Sequence, residues 1–132
     1  MTASGLPAAG CSQECSADAK APCFAHELPE LDHNEIGGWQ GASQLGRFSA
    51  VFLDDSDLHP RIRQRIELTR GLIEAEAAGT YRVESVGQSQ TERLISLVLL
   101  GDLVSLYLAV LREVDPTPVP TLDRLKSALA RG

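Results

Sequence analysis

The chain has 132 residues, enough for one domain with a single modest core. Its 43% hydrophobic content is that of a globular protein, and 18 acidic against 12 basic residues give a net charge of −6, which argues against a nucleic-acid backbone as partner. The three cysteines, Cys11, Cys15 and Cys23, are odd in number and crowded at one end, which excludes a secreted disulfide framework. No basic stretch followed by an apolar run marks a signal peptide, so a reduced, cytoplasmic protein is expected. In chain order, residues 1–9 read as an irregular start and residues 10–132 as the domain. Gly10 to Lys20 lacks strand alternation and predicts a short helix, ended by Pro22. Cys23 to Leu28 is a short apolar–polar segment and a candidate strand. Asp32 followed by Glu35 has the spacing of a capping box, predicting a helical turn over His33–Ile36 that stops at Gly37-Gly38. Gln40 to Gly46 reads as a loop.

Phe48 to Leu53 is a compact apolar run and the clearest strand. Pro60 stands at a favoured first-turn position, and Ile62, Ile66, Leu68, Leu72 and Ile73 give the following helix an apolar stripe through about Ala78, with Gly79 as its C-cap. Tyr81 to Val86 predicts a second strand. Thr91 to Glu113 is apolar on almost every side, which predicts a helix buried on most faces. Its length would allow a membrane span. Asp102 at its centre, beside Gly101 and Ser105, argues against that, because a carboxylate at the bilayer centre costs roughly 2.5–3.5 kcal/mol on insertion scales. Asp102 is expected to serve as a hydrogen-bond acceptor at a helix contact. After the break Asp115-Pro116-Thr117-Pro118, residues 120–131 form a last amphipathic helix with Leu122, Leu125 and Leu129 on one face. Helices alternating with short buried strands define an α/β fold with a short parallel sheet, covered by helices at 60–78, 91–113 and 120–131.

Four segments in this order carry a resemblance: ELPELDHNEIGGW (27–39), RFSAVFLDDSDLHPRIRQRIELT (47–69), LISLVLLGDLVSLYLAVLREVDPTPV (94–119) and LDRLKSALA (122–130). Together they resemble the C-terminal half of bifunctional phosphoglucose/phosphomannose isomerases, which carry two sugar-isomerase (SIS) domains, each a flavodoxin-like parallel sheet flanked by helices. The resemblance implies isomerisation of glucose 6-phosphate and mannose 6-phosphate to fructose 6-phosphate through an enediol, with no metal or cofactor. It implies His33 as the residue that assists ring opening, lent to a neighbouring subunit's site, and Lys126 as a second site residue. The family's base is a Glu in an N-E-N-A-K segment; here the aligned segment is Ser16-Ala17-Asp18-Ala19-Lys20, so Ala17, which cannot take a proton, stands at the base position. Glu14, one helical turn earlier on the same face, is the possible substitute base. The first SIS domain has no counterpart in the chain, and neither has the first strand of the second domain unless Thr2–Pro7 supplies it. The partners implied are a hexose phosphate and either a second copy in a homodimer or a separate chain carrying the first SIS domain, with no nucleic acid and no membrane.

Two other readings come from the residues. The substitution at Ala17 and the missing domain suit a non-catalytic sugar-phosphate-binding or dimerisation module. Cys11, Cys15, Cys23 and His26 offer four soft or borderline ligands close in sequence, although they lack the two tight pairs of a zinc site. From local pattern His33 is also a surface histidine of a capped turn, Lys126 a solvated charge and Glu35 a capping residue.

Overall fold

A computed structural model describes residues 5–131. The element order is α1 (Gly5–Ala17), two 3-10 turns (Glu30–Asp32 and Glu35–Trp39), α2 (Ala42–Leu45), β1 (Ser49–Asp54), α3 (Pro60–Ile73), β2 (Gly79–Glu84), α4 (Gln90–Leu111) and α5 (Pro120–Leu129). β1 and β2 pair in parallel, with Val51 opposite Tyr81 and Asp54 opposite Glu84. This is the small α/β architecture expected, a crossover helix joining two parallel strands.

α3 covers one face of the sheet. Its Pro60 occupies the first turn, the His59 side chain accepts from the Arg61 N–H, and Ile66, Thr69 and Ile73 form the buried stripe. The alternation of a strand places Asp54 and Arg82 on this face. Buried Asp54 accepts from Arg82 Nε (2.9 Å) and Nη2 and from Arg63 Nε (3.4 Å), so α3 is tied to both strands by charge as well as by packing. A second network closes the strand ends: Arg93 Nε lies 2.6 Å from Asp55 Oδ1, its Nη2 pairs with Asp57, and Ser85 Oγ donates to Asp55 (3.1 Å). Burial would raise the Asp55 pKa; the Asp57 N–H, the Ser85 hydroxyl and Arg93 more than offset it and hold the carboxyl below the ordinary value.

α4 begins with a complete capping box. Ser89 Oγ accepts from the Glu92 N–H (3.2 Å), and Glu92 Oε2 accepts from the N–H groups of Ser89 (2.9 Å) and Gln88 (2.8 Å). The buried residues of α4 are Arg93, Leu97, Gly101, Ser105 and Ala109, a strict i, i+4 stripe. Three are small, and α1 packs closely along that stripe: a Cβ at Gly101 would collide with the Cys11 sulfur. Ser105 Oγ lies 2.8 Å from both Asp18 Oδ2 and the Asp102 carbonyl, sharing its one proton between them.

Several expectations change. α1 starts at Gly5, so the helix takes in part of the stretch read as irregular, and Gly5–Pro7 cannot be the missing first strand; residues 1–4 lie outside the described residues. Cys23–Leu28 is not a strand but an exposed connection, with Phe24 73% exposed, because no neighbouring strand is there to pair with it. Asp32 is no N-cap: its carboxylate accepts from Arg65 Nη1 (2.8 Å) and Thr69 Oγ1 (2.9 Å) of α3, while Glu35 Oε1 meets His26 Nδ1 at 2.7 Å, so the turn there runs as 3-10 helix through both glycines. Gln40–Gly46 contains α2, and Gly79 opens β2 instead of capping α3. The largest correction concerns α4. It is not a helix buried on most faces: Leu99, Leu103, Leu106, Tyr107, Val110 and Leu111 are exposed, Tyr107 by 70% and Leu111 by 81%. Apolar composition creates a need for cover, and within this chain α1 meets that need along one stripe only.

Candidate functional site

A cleft of about 640 Å³ opens where the end of α1 meets the start of α5. Ser16, Lys20, Ala21 and Pro22 form one wall; Val114, Asp115, Pro118, Val119, Pro120 and Thr121 form the other. The shape follows from the sequence on both sides. α1 ends at Ala17; just beyond it Lys20 adopts φ +52°, and the Ala21 N–H returns to the Cys15 carbonyl (3.4 Å) to close the helix end. Lys20 Nζ donates to the Ala17 carbonyl (2.5 Å) and across the cleft to the Pro116 carbonyl (3.2 Å). An ammonium has three protons, so one donor remains after these two bonds. On the other wall Asp115 Oδ1 accepts from the Thr117 N–H (2.9 Å), and prolines 116, 118 and 120 stiffen the path into α5. Pro120 occupies the first turn of α5, whose N-terminus faces the cleft with Thr121 among the lining residues. The walls are mostly apolar, with the Ser16 and Thr121 hydroxyls, the Lys20 ammonium, the Asp115 carboxylate and the N-terminus of α5 as their polar features.

None of the residues singled out from the sequence lines this cleft. Ala17 is bracketed by the lining residues Ser16 and Lys20. Glu14 is half-buried on α1, one turn before Ala17, and Lys126 is exposed on α5, past the turn that contributes Pro120 and Thr121; neither lines the cleft. His33 is exposed at the end of the first 3-10 turn, where its N–H donates to the Glu30 carbonyl (3.0 Å). The anchoring of neighbouring Asp32 on α3 fixes the backbone of His33, but within the chain His33 is not brought to the cleft. Sequence reasoning did not single out Ser16, Lys20 or Thr121 as lining residues. The signal was present, since Ser16 and Lys20 begin and end the segment aligned with the family's base.

Cys11 and Cys15 are partly buried, whereas Cys23 is exposed. Burial and then the Asp102 carboxylate raise the Cys11 pKa, and Cys11 Sγ makes only a weak contact with the Leu97 carbonyl (3.8 Å). Burial and then the adjacent Cys23 thiol push Cys15 up to about 11. Such thiols are poor thiolate donors at neutral pH. His26 is engaged by Glu35, and no group of three or more His, Cys, Asp or Glu side chains is gathered for a metal among the described residues. The four-ligand reading therefore finds no support. Asp102 meets α1 through the charge it presents to Cys11; the hydrogen bond expected of its side chain at that contact is made by Asp18 instead.

Comparison with known proteins agrees with the fold. A family model described as the bacterial phospho-glucose isomerase C-terminal SIS domain matches residues 8–129. The chain belongs to that family. A bifunctional phosphoglucose/phosphomannose isomerase of Caldicellulosiruptor bescii is 42% identical over 114 residues, which is 86% of this chain and 34% of that protein. Proteins of the same name from Aquifex aeolicus and Aeropyrum pernix are 32% and 26% identical, with 36% and 38% of their lengths covered. The chain thus spans about a third of the length of the curated relatives it matches.

Proposed function

We propose that this chain is the hexose-phosphate-handling C-terminal domain of a cytoplasmic aldose–ketose isomerase, acting on glucose 6-phosphate and mannose 6-phosphate to give fructose 6-phosphate, and that its site is completed by a second copy or by a domain equivalent to the part of the relatives that it does not span. The observation that carries this reading is the cleft at Ser16–Pro22 and Val114–Thr121, in a chain that belongs to an isomerase domain family. In the proposed reaction His33, from a neighbouring subunit, helps open the sugar ring. A base removes the C2 proton, an enediol forms as the C1 carbonyl oxygen gains a proton, and proton return to C1 with loss of the C2 hydroxyl proton leaves the ketose. No electrons leave the substrate and no metal is needed. Lys126 supplies positive charge from α5, and the remaining Lys20 donor with the Ser16 and Thr121 hydroxyls holds polar groups of the sugar phosphate. Ala17 cannot act as base, which leaves Glu14.

The test is a coupled assay for fructose 6-phosphate made from mannose 6-phosphate, run on the chain alone and with the N-terminal part of the Caldicellulosiruptor bescii protein. Turnover is expected only with the added domain, with a 10²- to 10⁴-fold loss in Glu14→Gln, the range for one general base. The Ala17 substitution favours a second reading, a non-catalytic sugar-phosphate-binding module. Calorimetric binding of fructose 6-phosphate without turnover would select it, and no binding and no turnover would exclude both.

A further inference from the structure

Cys15 and Cys23 have no part in the functional reading above, yet the fold brings them together. Cys15 lies near the end of α1. The Ala21 N–H, returning to the Cys15 carbonyl (3.4 Å), folds the chain back so that Cys23 reaches the same helix end. The two thiols are in hydrogen-bonding contact, with the proton on Cys15. Their surroundings differ: Cys15 is half-buried, whereas Cys23 is exposed on a connection without regular secondary structure. Cys11, one helical turn before Cys15, is occupied elsewhere. Its sulfur lies against α4, where Gly101 leaves room for it, and near the Leu97 carbonyl (3.8 Å). The three cysteines thus divide into a pair and a packing residue.

The segment between the paired cysteines is one wall of the cleft. Ser16, Lys20, Ala21 and Pro22, the lining residues on the α1 side, all fall between positions 15 and 23. Within that segment Lys20 adopts φ +52° and reaches the Pro116 carbonyl across the cleft (3.2 Å). A bond between the cysteines would tie this wall at both ends, and a cross-link restricts the conformations open to the chain it encloses. Thiols already in contact need little movement to reach disulfide geometry. The exposed connection after Cys23 can supply that movement.

We propose that Cys15 and Cys23 form a peroxide-sensitive dithiol pair whose disulfide pins the α1-side wall of the cleft. Cys23, the exposed sulfur, meets the oxidant. It attacks one oxygen of hydrogen peroxide, the O–O bond breaks, and Cys23 sulfenic acid and one water result. The Cys15 sulfur then displaces the sulfenic oxygen, which leaves with the Cys15 proton as a second water. The two thiols give up two electrons and two protons, and peroxide takes both. A sulfur that binds its proton tightly is the stronger nucleophile once that proton passes to the leaving oxygen, which suits Cys15 to the second step. The pair acts on the wall in this way whatever the cleft binds.

The experiment treats the purified chain with hydrogen peroxide, then digests it with trypsin and a Glu-specific protease. Cleavage after Glu14, Lys20 and Glu27 puts Cys11, Cys15 and Cys23 on three separate peptides. The expected product joins the Cys15 and Cys23 peptides with loss of two hydrogen atoms, and dithiothreitol reverses it. In the oxidised chain, amide exchange of the segment from Ser16 to Ala21 should slow by roughly tenfold or more. Cys23→Ser should abolish both the link and the slowing, and Cys11→Ser should leave both in place. Cys15→Ser should stop at a Cys23 sulfenic acid that dimedone captures. A link through Cys11, or only a bond between two copies through Cys23, overturns the proposal. So does a Cys15–Cys23 disulfide that leaves exchange in the wall unchanged.

Discussion

The two halves of the molecule handle burial differently. On the α3 side, charged groups hold the elements together: Asp54 is paired with Arg82 and Arg63, Asp32 with Arg65 and Thr69, and Ile66 and Ile73 are buried, although Leu68 and Leu72 stay exposed and Asp54 Oδ1 has no partner. On the α4 side one narrow stripe of small residues meets α1, and the larger apolar residues face outward. The first half is held by specific pairs made within the chain. The second has the composition of a core without the neighbours of one. Apolar burial is non-directional and can be completed by any complementary surface, whereas a buried carboxylate needs a particular donor at a particular distance. The half built on ion pairs is therefore the one that can close by itself.

The sharpest way to break the contrast is at its two most constrained residues. Asp54→Ala should destabilise the chain by about 3 kcal/mol, near the low end for losing one member of a buried pair because Arg82 keeps Glu67 and Glu84. Gly101→Leu should cost about 2 kcal/mol by overpacking the α1–α4 contact. Urea titrations measure both, and Gly101→Leu should also loosen α1 in hydrogen exchange.

Smaller effects sharpen the picture. Ser89→Ala should cost about 1 kcal/mol through loss of the α4 cap. The N–H groups of Ser89 and Gln88 hold the Glu92 carboxyl below its ordinary value. A depressed folded pKa contributes stability that is present above the unfolded value, about 4.3, and is lost as pH falls through the folded pKa. Wild type and Glu92→Gln should therefore differ most at neutral pH and converge as pH drops below about 4. Gly71→Ala, on an exposed α3 position with open space around it, should stabilise by about 1 kcal/mol.

What the sequence revealed follows the same division. The two strands, α3, α4 and α5 were legible because periodicity, Pro60 and Pro120 act locally. The early start of α1 was not, since Gly5–Gly10 carries little pattern. Two capping-box signatures were present, Asp32 with Glu35 and Ser89 with Glu92, and only the second forms; tertiary partners on α3 and at His26 claim the first pair. The short apolar–polar segment Cys23–Leu28 suggests a strand, but a strand needs a partner. The burial of α4 depends on what surrounds the helix, which its own residues cannot specify. Around the cleft, the resemblance draws attention to Ser16–Lys20, while the bond from Lys20 to the Pro116 carbonyl depends on tertiary placement that no local pattern specifies.

The account stands most directly on a gain-of-function measurement: Ala17→Glu in the chain complexed with the companion domain, assayed for fructose 6-phosphate from mannose 6-phosphate. A carboxylate restored at that position should raise turnover by about 10²-fold or more over wild type, and His33→Ala in the same background should remove the gain. An Ala17→Glu complex that binds fructose 6-phosphate yet turns over no faster than wild type would contradict it.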